Sequence, residues 1–495
     1  MWLTQLLERN HQCFPDRTAL ADERRSVTWA GLHDRTARLA RGLAARGVRT
    51  GDRVAVLSLD RVEVMETYFA LARLGALFVP LNHSLTPEEV TGIAERTEPV
   101  AVVGEARLLA RHPDLPARLR IALDGEEFAA LAAGDPADDG PDGGLPEVAD
   151  DAPAAILHTS ATTGRAKGVT VDHASFRAIA LGWLAEARPP DDVVLLNCCP
   201  LYHGSMVVSL TYMAAGATVV LLPGFTPQTA LAAAKRHRAT HIWLVPQMLR
   251  FLLQAKAAGT TDLSSLREVL YGAAPMPVDL YAEAAARLGC GFRQVYGMTE
   301  VGGPFVTLGP GEHPAPDAVA ERLPSGRVIP GMSVRVLDAA GRTAERGAIG
   351  EICVRGPGVM RGYWRDERAT AEITVDGWTR TGDLGFLDAA GRVHLVDRSK
   401  DLIIRAGLNV YPTEIERVLR AHPAVHDAAV VGVPDDDYGE VPLAYVVADE
   451  GTTATELLRH ATGRLAPYKR PRRIEFIDQV PRNPAGKILK KLLRT

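Results

Sequence analysis

Hydrophobic positions in the first third of the chain alternate between helical and strand spacing. Apolar residues recur at helical spacing over 29–47 and 62–74, and short apolar runs at 53–59 and 76–81 predict strands. This β–α–β order predicts a parallel sheet covered by helices. The same rhythm returns later in the chain, where strands are predicted at 154–157, 193–196, 218–222, 241–245 and 268–271.

The pattern changes at about residue 326. Short strands predicted at 333–337, 350–354 and 392–396 are separated by glycine-containing turns, which indicates a small β-rich subdomain. Beyond residue 401, a helix at 412–421 and strands at 428–433 and 443–447 predict an α+β lobe that ends in a basic tail. The sequence thus predicts an α/β protein with a large N-terminal domain of helix-covered sheets, a small β-rich subdomain and a C-terminal α+β lobe.

Composition and charge exclude several classes of protein. The 495 residues include 56 Lys and Arg and 60 Asp and Glu, a net charge of −4 that disfavours binding to nucleic acid through the overall field. No apolar run reaches the roughly 18–20 residues of a membrane span. The first nine residues include Glu8 and only a short apolar stretch, so no signal peptide is expected.

Neither a structural zinc site nor a redox dithiol is expected. The five cysteines form no C-x-x-C pair, which favours buried thiols in a reducing cytoplasm. His237 and His241 have the spacing of a zinc-binding helix, but no Glu follows His237 and a strand begins at once.

The strongest local signal for chemistry is the segment TSATTGRAKG at 159–168, which follows the predicted strand at 154–157. Hydroxyls, backbone N–H groups and one lysine after a strand are suited to polyphosphate oxygens. The spacing is not that of a Walker A loop, and taken alone the segment is equally compatible with an ordinary turn. The candidate phosphate-binding residues are Thr159, Ser160, Thr162, Thr163, Gly164 and Lys167.

Further motifs occur in order along the chain. They are YGMTE at 296–300, WTRTGD at 378–383, DRSKD at 397–401 and PRNPAGKI at 481–488. Together with 159–168 they resemble the adenylate-forming superfamily of acyl-CoA synthetases, luciferases and peptide-synthetase adenylation domains. The resemblance covers nearly the whole chain. RAGLNVYPTEIE at 405–416 and APYKRP at 466–471 look most like acyl-CoA ligases.

The resemblance implies ATP-dependent activation of a carboxylic acid to an acyl-adenylate, followed by transfer to CoA. Such a reaction needs charge neutralisation more than acid–base catalysis. Lys487 is the candidate cation between the acyl carboxylate and the α-phosphate. Glu300 is the candidate Mg²⁺ ligand, because magnesium uses one or two carboxylates together with phosphate oxygens. Thr299 would donate to the α-phosphate.

The same resemblance implies the nucleotide contacts. Asp383 would accept the ribose hydroxyls, and Arg398 would hold ribose or phosphate. The segment 272–275 has small side chains suited to the adenine edge, and Tyr296 would stack on the ring. The candidate nucleotide-binding residues outside 159–168 are Gly272, Ala273, Ala274, Pro275, Tyr296, Gly297, Asp383, Arg398 and Gly407.

The acyl pocket is predicted beside the segment PLYH at 200–203, where His203 is aromatic and polar without having to act as an acid or base. The other candidate residues are apolar, aromatic or small: Tyr202, Val207, Val245, Val301, Gly302, Gly303 and Phe305. None is Arg or Lys, which disfavours a dicarboxylate and leaves aromatic and medium-chain aliphatic acids open. Ala161, Ala166 and Met206 depart from residues common in the superfamily, so its usual substrate rules need not hold.

The resemblance also implies two arrangements of a mobile C-terminal lobe. The corresponding domains are 1–397 and 401–495, with a hinge at 398–400 centred on Lys400. Other acceptors stay open, namely a carrier protein, an amine, or an atypical reaction with an oxyanion such as nitrite. A serine hydrolase is disfavoured because Ser205 lies in no G-x-S-x-G elbow. A protein that only binds is disfavoured by Lys487, Glu300 and Asp383. The sequence leaves the oligomeric state open.

Overall fold

The computed structural model describes residues 2–134, 144–159, 166–202, 204–315, 323–482 and 488–494. Helices in these residues follow the predicted apolar spacing, and the helix predicted at 29–47 spans Trp29–Ala45. The helices are α1 (Trp2–Cys13), α2 (Trp29–Ala45), α3 (Val62–Leu74), α4 (Pro87–Thr97), α5 (Ala106–Ala110), α6 (Glu126–Ala133), α7 (His173–Ala187), α8 (Ser205–Ala214), α9 (Pro227–Arg236), α10 (Pro246–Gln254), α11 (Val278–Leu288), α12 (Glu367–Ile373), α13 (Pro412–Arg420) and α14 (Ala454–Thr462).

The strands in the first two thirds of the chain are short and largely apolar. They are β1 (Thr18–Ala21), β2 (Ser26–Thr28), β3 (Arg53–Leu57), β4 (Leu77–Pro80), β5 (Ala101–Gly104), β6 (Leu119–Ala122), β7 (Pro153–His158), β8 (Gly168–Asp172), β9 (Val194–Asn197), β10 (Thr218–Leu221), β11 (His241–Leu244), β12 (Glu268–Gly272), β13 (Gly291–Met298), β14 (Gly303–Leu308) and β15 (Arg327–Val328).

The remaining strands alternate more often between buried and exposed positions. They are β16 (Ser333–Leu337), β17 (Gly350–Arg355), β18 (Gly362–Tyr363), β19 (Thr374–Val375), β20 (Trp378–Leu387), β21 (Val393–Arg398), β22 (Ile403–Arg405), β23 (Leu408–Val410), β24 (Val425–Asp435), β25 (Gly439–Ala448) and β26 (Arg473–Phe476).

The chain divides into two compact units. The first comprises 1–333 and 354–379, and the second comprises 334–353 and 380–495. The strands of the β-rich region at 334–353 and 380–398 therefore belong to the same unit as the C-terminal residues. The hinge at Lys400 lies inside the second unit, between β21 and β22, and stays a prediction because it concerns movement.

The first unit contains two mixed sheets whose central strands are parallel, as the β–α–β pattern predicts. One has the order β15-β14-β13-β12-β11-β9-β10-β1-β2, and the other β18-β8-β7-β4-β3-β5-β6. Every residue of β4, β5 and β11 is buried, which is typical of parallel strands covered on both faces. Local signals fix the helix ends: Asp172 caps α7 by accepting from the N–H of Ser175, and Gly75 ends α3 in the left-handed conformation.

The second unit contains two smaller sheets. In one, β16 pairs with β17, β17 with β20, and β20 antiparallel with β21. In the other, the order is β23-β22-β25-β24, with β26 parallel to β25. Its core includes Val410, Ile415, Leu419, Val430 and Leu457. The predicted fold class is confirmed.

Candidate active site

Four neighbouring strands of the larger sheet end beside predicted site residues. The parallel strands β9, β11, β12 and β13 pair in register, with Trp243 beside Asn197 and Gly272 beside Val295. Carboxyl ends of parallel strands meet at one edge of a sheet, which is the usual position of ligand sites in such folds. This edge carries Tyr202, Val245, the segment 272–275 and the segment 296–300.

The two predicted adenine segments follow β12 and β13. A Cβ on Gly272 would lie 2.5 Å from the carbonyl oxygen of Val295, so the close approach of the strands requires glycine there. Ala273 has a φ of 65°, which turns the chain sharply at the edge. The buried ring of Tyr296 packs against Phe305, with 5.0 Å between ring centroids. Stacking of Tyr296 on adenine stays a prediction.

The phosphate segment joins the antiparallel strands β7 and β8. The N–H of Thr159 donates to the carbonyl oxygen of Lys167 at 3.1 Å, just beyond the last ladder pair of His158 and Gly168. The Lys167 ammonium lies 4.8 Å from the ring centroid of Tyr363, which is a cation–π contact. Ser160, Thr162, Thr163 and Gly164 lie outside the described residues.

Glu300 lies in the 3-10 turn Thr299–Val301 that follows β13. Its carboxylate oxygen Oε1 accepts a hydrogen bond of 2.8 Å from the hydroxyl of Tyr363. Burial and the Glu300 charge raise the pKa of Tyr363, so this hydroxyl stays a donor. Sequence reasoning missed Tyr363, whose segment 362–364 shows only an apolar Gly-Tyr-Trp run.

The donor set at this turn fits magnesium. Glu300 supplies hard carboxylate oxygens and Thr299 a hydroxyl, and Mg²⁺ commonly completes its shell with water and substrate phosphates. Among the residues that the structure describes, no group of three or more His, Cys, Asp or Glu is arranged to hold a metal by itself. A single carboxylate that acts together with ATP phosphates is consistent with these oxygen donors and with the lack of a larger ligand cluster in the described residues.

The predicted acyl-pocket residues that the structure describes are buried, and two of them approach each other closely. A Cβ on Gly303 would lie 2.7 Å from Cγ1 of Val207, so α8 and the start of β14 approach closely. Val245, Val301 and Phe305 are also buried. Gly302 differs: its φ is 65°, and a Cβ there would lie 2.9 Å from the carbonyl oxygen of Gly358, away from Val207. His203 lies outside the described residues.

Asp60, which sequence reasoning missed, hydrogen-bonds the segment that precedes the predicted acyl-pocket residues. Its Oδ1 accepts from the N–H of Leu201 at 2.9 Å, and the neighbouring Tyr202 is buried. Within the described residues, Asp60 Oδ2 is buried without a hydrogen-bond partner and borders a small cavity shared with Ser58 and Tyr202. Burial raises the pKa of Asp60 to about 8. The only sequence signal is a polar residue soon after an apolar strand.

In the second unit, Asp383 and Arg398 pair across β20 and β21. The side chain of Asp383 is 8% exposed, and its Oδ1 lies 2.6 Å from Nε of Arg398. Burial lowers the pKa of Lys400, whose carbonyl oxygen accepts from Arg494 at 3.3 Å. Gly407 has a φ of 80° in the turn between β22 and β23.

Lys487 lies outside the described residues, but the residues on either side of 483–487 make contacts within the second unit. Arg482 and Ile488 form an antiparallel bridge, and the N–H of Leu489 donates to the carbonyl oxygen of Pro481 at 2.8 Å. Lys490 pairs with the buried Glu416 at 2.7 Å. The described residues on either side of 483–487 are therefore held next to each other within the second unit.

A family model described as AMP-binding enzyme matches residues 7–364, and its C-terminal domain model matches 414–487. The chain belongs to the AMP-binding enzyme family. The predicted membership of the adenylate-forming superfamily is thus confirmed, and the chain is an enzyme of the acyl-CoA ligase type.

Similar proteins match this AMP-binding enzyme over almost its full length. A fatty acid–[acyl-carrier-protein] ligase, ScoC from Streptomyces coeruleorubidus, is 37% identical over 99% of this chain and 96% of its own. A feruloyl-CoA synthase from Amycolatopsis sp. is 39% identical over 98% and 97%. The crystal structure of ATP-bound MatB from Rhodopseudomonas palustris has a TM-score of 0.89 at 34% identity, covering 99% of this chain and 98% of that one.

None of the helices described here is long and apolar enough to cross a membrane.

Proposed function

We propose that the protein is an AMP-forming acid–CoA ligase that works in two half-reactions. The observation that carries the proposal is the edge of the larger sheet, where Glu300 lies within hydrogen-bond contact of Tyr363, which also contacts Lys167 of the phosphate segment. Relatives named as CoA ligases, such as the feruloyl-CoA synthase, support CoA as the acceptor.

The first half-reaction is adenylation. A carboxylate oxygen of the acid forms a bond to the α-phosphorus of ATP, the bond to the pyrophosphate oxygen breaks, and pyrophosphate leaves. Bound Mg²⁺, held by Glu300, supplies charge neutralisation on the phosphates. Thr299 donates to the α-phosphate, and Lys487 bridges the acyl carboxylate and that phosphate.

The second half-reaction is thioester formation. The sulfur of CoA attacks the acyl carbon, the bond from that carbon to the AMP oxygen breaks, and AMP leaves. The nucleotide stays on the enzyme between the two steps through the ribose contact of Asp383 and Arg398. The hinge at Lys400 rotates the C-terminal lobe from the adenylating to the thioester-forming arrangement.

The proposed acid has an uncharged and largely apolar tail. Val207, Val245, Val301 and Phe305 are buried and apolar, and no Arg or Lys lies among the candidate pocket residues to pair with a second carboxylate. Aromatic acids and medium-chain aliphatic acids fit this description.

The free thiols of all five cysteines support a reducing cytoplasmic compartment for the reaction.

Transfer to a carrier protein is the second candidate, because ScoC is named as a ligase of that kind. Chemistry up to the acyl-adenylate is identical for both acceptors. They differ only in which pantetheine thiol reaches the acyl carbon.

The test is a panel of carboxylic acids in a pyrophosphate-release assay, with CoA, with a phosphopantetheinylated carrier protein, and with neither. The proposal expects faster release with CoA and an acyl-CoA product by mass spectrometry. Acceleration by the carrier protein alone would favour the second candidate. Failure of every acid to release pyrophosphate would contradict adenylation.

The role of Lys487 is tested by separating the half-reactions. Lys487→Ala should slow acyl-adenylate formation by about 10²–10³-fold, the usual effect of losing one transition-state donor. Thioester formation from supplied acyl-AMP should survive far better, because the acyl–phosphate bond already exists. Lys491→Ala, an exposed lysine of the same tail, is the matched control. Equal losses in both half-reactions at unchanged folding would remove Lys487 from this role.

A further inference from the structure

Tyr363 contacts two of the candidate nucleotide-site residues of the first unit. Its hydroxyl donates to Glu300, and its ring lies under the ammonium of Lys167. The three residues come from separate parts of the chain: the turn after β13, the short strand β18 and the residue before β8. Tyr363 therefore contacts both the carboxylate and the lysine.

Backbone hydrogen bonds hold the segment that carries the Tyr363 ring. Tyr363 pairs with Val169 in the antiparallel ladder between β18 and β8, and the N–H of Trp364 donates to the carbonyl oxygen of Gly168 at 2.7 Å. The N–H of Met360 donates to the carbonyl oxygen of Glu300 at 2.9 Å. The segment at 360–364 is therefore hydrogen-bonded to both the Glu300 turn and β8, the strand that follows the predicted phosphate segment.

We propose that Tyr363 is a positioning residue for the metal–nucleotide complex. Its hydroxyl orients the Glu300 carboxylate toward Mg²⁺, and its ring holds Lys167 beside the ATP phosphates. The inference rests on the proposed function, in which Glu300 is the magnesium ligand.

The chemistry of a carboxylate allows this role. The Tyr363 hydroxyl uses one of about four lone-pair positions, so acceptor positions stay open for a cation. Partners that hydrogen-bond a metal ligand fix its direction, and their loss commonly weakens metal binding by about 10- to 100-fold. A purely structural tyrosine would instead affect folding and leave the metal dependence of ATP binding as it was.

The test measures ATP affinity by calorimetry in EDTA and again in excess Mg²⁺, with no acid present so that no turnover occurs. The dissociation constant in EDTA divided by that in Mg²⁺ reports how much the metal strengthens ATP binding. Tyr363→Phe, which keeps the ring, should lower this ratio by about tenfold and leave the affinity for metal-free ATP unchanged. Tyr363→Leu should also weaken metal-free ATP binding, because Lys167 loses the ring.

Two further variants make the result specific. Glu300→Gln should lower the ratio at least as much as Tyr363→Phe, and the double variant should be no worse than Glu300→Gln alone, because both act through one carboxylate. Tyr281→Phe removes a hydroxyl that donates to the carbonyl oxygen of Pro314 at 3.1 Å, and it should leave the ratio unchanged.

The outcomes separate this inference from the proposed function. An unchanged or increased ratio in Tyr363→Phe, with a reduced ratio in Glu300→Gln, would overturn the role of Tyr363 alone. An unchanged ratio in Glu300→Gln would overturn Glu300 as the magnesium ligand. Additive losses in the double variant would show that Tyr363 acts on something other than Glu300.

Discussion

Asp383 and Arg398 face each other across the β20–β21 ladder and form an ion pair, with 2.6 Å between Oδ1 and Nε. The carboxylate is almost buried, whereas the guanidinium is 40% exposed. The arginine therefore constrains the orientation of the aspartate that we propose as the ribose ligand.

Asp383→Asn should raise the dissociation constant for ATP by about 10- to 100-fold, because hydrogen bonds to a charged acceptor are stronger than those to an amide. Equilibrium ATP titration measures it. Asp388→Asn is the matched control, since Asp388 also pairs with an arginine, Arg392, in the same hairpin. Equal ATP affinity in Asp383→Asn and the wild type would contradict the ribose contact.

Lys400→Pro should preserve adenylation and block thioester formation. Proline fixes φ near about −65° and removes the backbone N–H, so a rotation about this residue is restricted. Pyrophosphate exchange and thioester yield are measured side by side, with folding checked by thermal melting. Lys400→Ala removes the side chain without fixing φ, so it separates the loss of the side chain from the restriction of the backbone. A folded proline variant with both steps at wild-type rates would show that no rotation about Lys400 is needed.

Val207→Ala should shift the preference of the enzyme toward longer or bulkier acids. Val207 approaches Gly303 at the predicted pocket, and a change of one or two methylenes in such a pocket is commonly worth about 10- to 200-fold in relative kcat/KM. Val208→Ala makes the same deletion at the next buried position of α8 and controls for lost packing. The same shift in both variants, or none in Val207→Ala, would mean that the pocket lies elsewhere.

Asp60→Asn should change how stability depends on pH. Burial raises the folded-state pKa of Asp60 from 3.8 to about 8. Stability from the neutral carboxyl is therefore fully present below about pH 4 and is lost as the pH rises through about 8.

An amide cannot ionise, so Asp60→Asn does not lose this stability. The free energy of unfolding of the variant, relative to that of the wild type, should therefore increase as the pH rises from about 4 to about 8. The gain is at most about 1.4 kcal/mol per pH unit and stops above pH 8. Urea unfolding at several pH values measures it. A difference that stays constant with pH would show that Asp60 is ionised in the folded protein throughout.

The sequence predicts those features that depend on local patterns. Apolar spacing gives α2, α3 and the parallel strands, because burial on both faces leaves a continuous apolar run. It underestimates β24, predicted at 428–433 and observed at Val425–Asp435, because the ladder to β25 also includes the partly exposed Asp427 and Asp435 and the exposed Pro434, which interrupt the apolar pattern.

Contacts between distant parts of the chain are not predictable in this way. Tyr363 and Glu300 are 63 positions apart, and Asp60 and Leu201 are 141 apart. Each depends on which strands become neighbours in a sheet, and neither residue has a spacing that signals its partner. The motifs at 159–168 and 296–300 were recognisable because their chemistry is continuous in sequence.

Transfer of an oxygen isotope from the acid to AMP tests the central claim most directly. The best acid of the panel is labelled with ¹⁸O in both carboxylate oxygens and converted in the presence of ATP and CoA, and the AMP is analysed by mass spectrometry. If the carboxylate attacks the α-phosphorus, one labelled oxygen stays on AMP for each thioester formed. AMP without label, at a full yield of thioester, would contradict an acyl-adenylate intermediate.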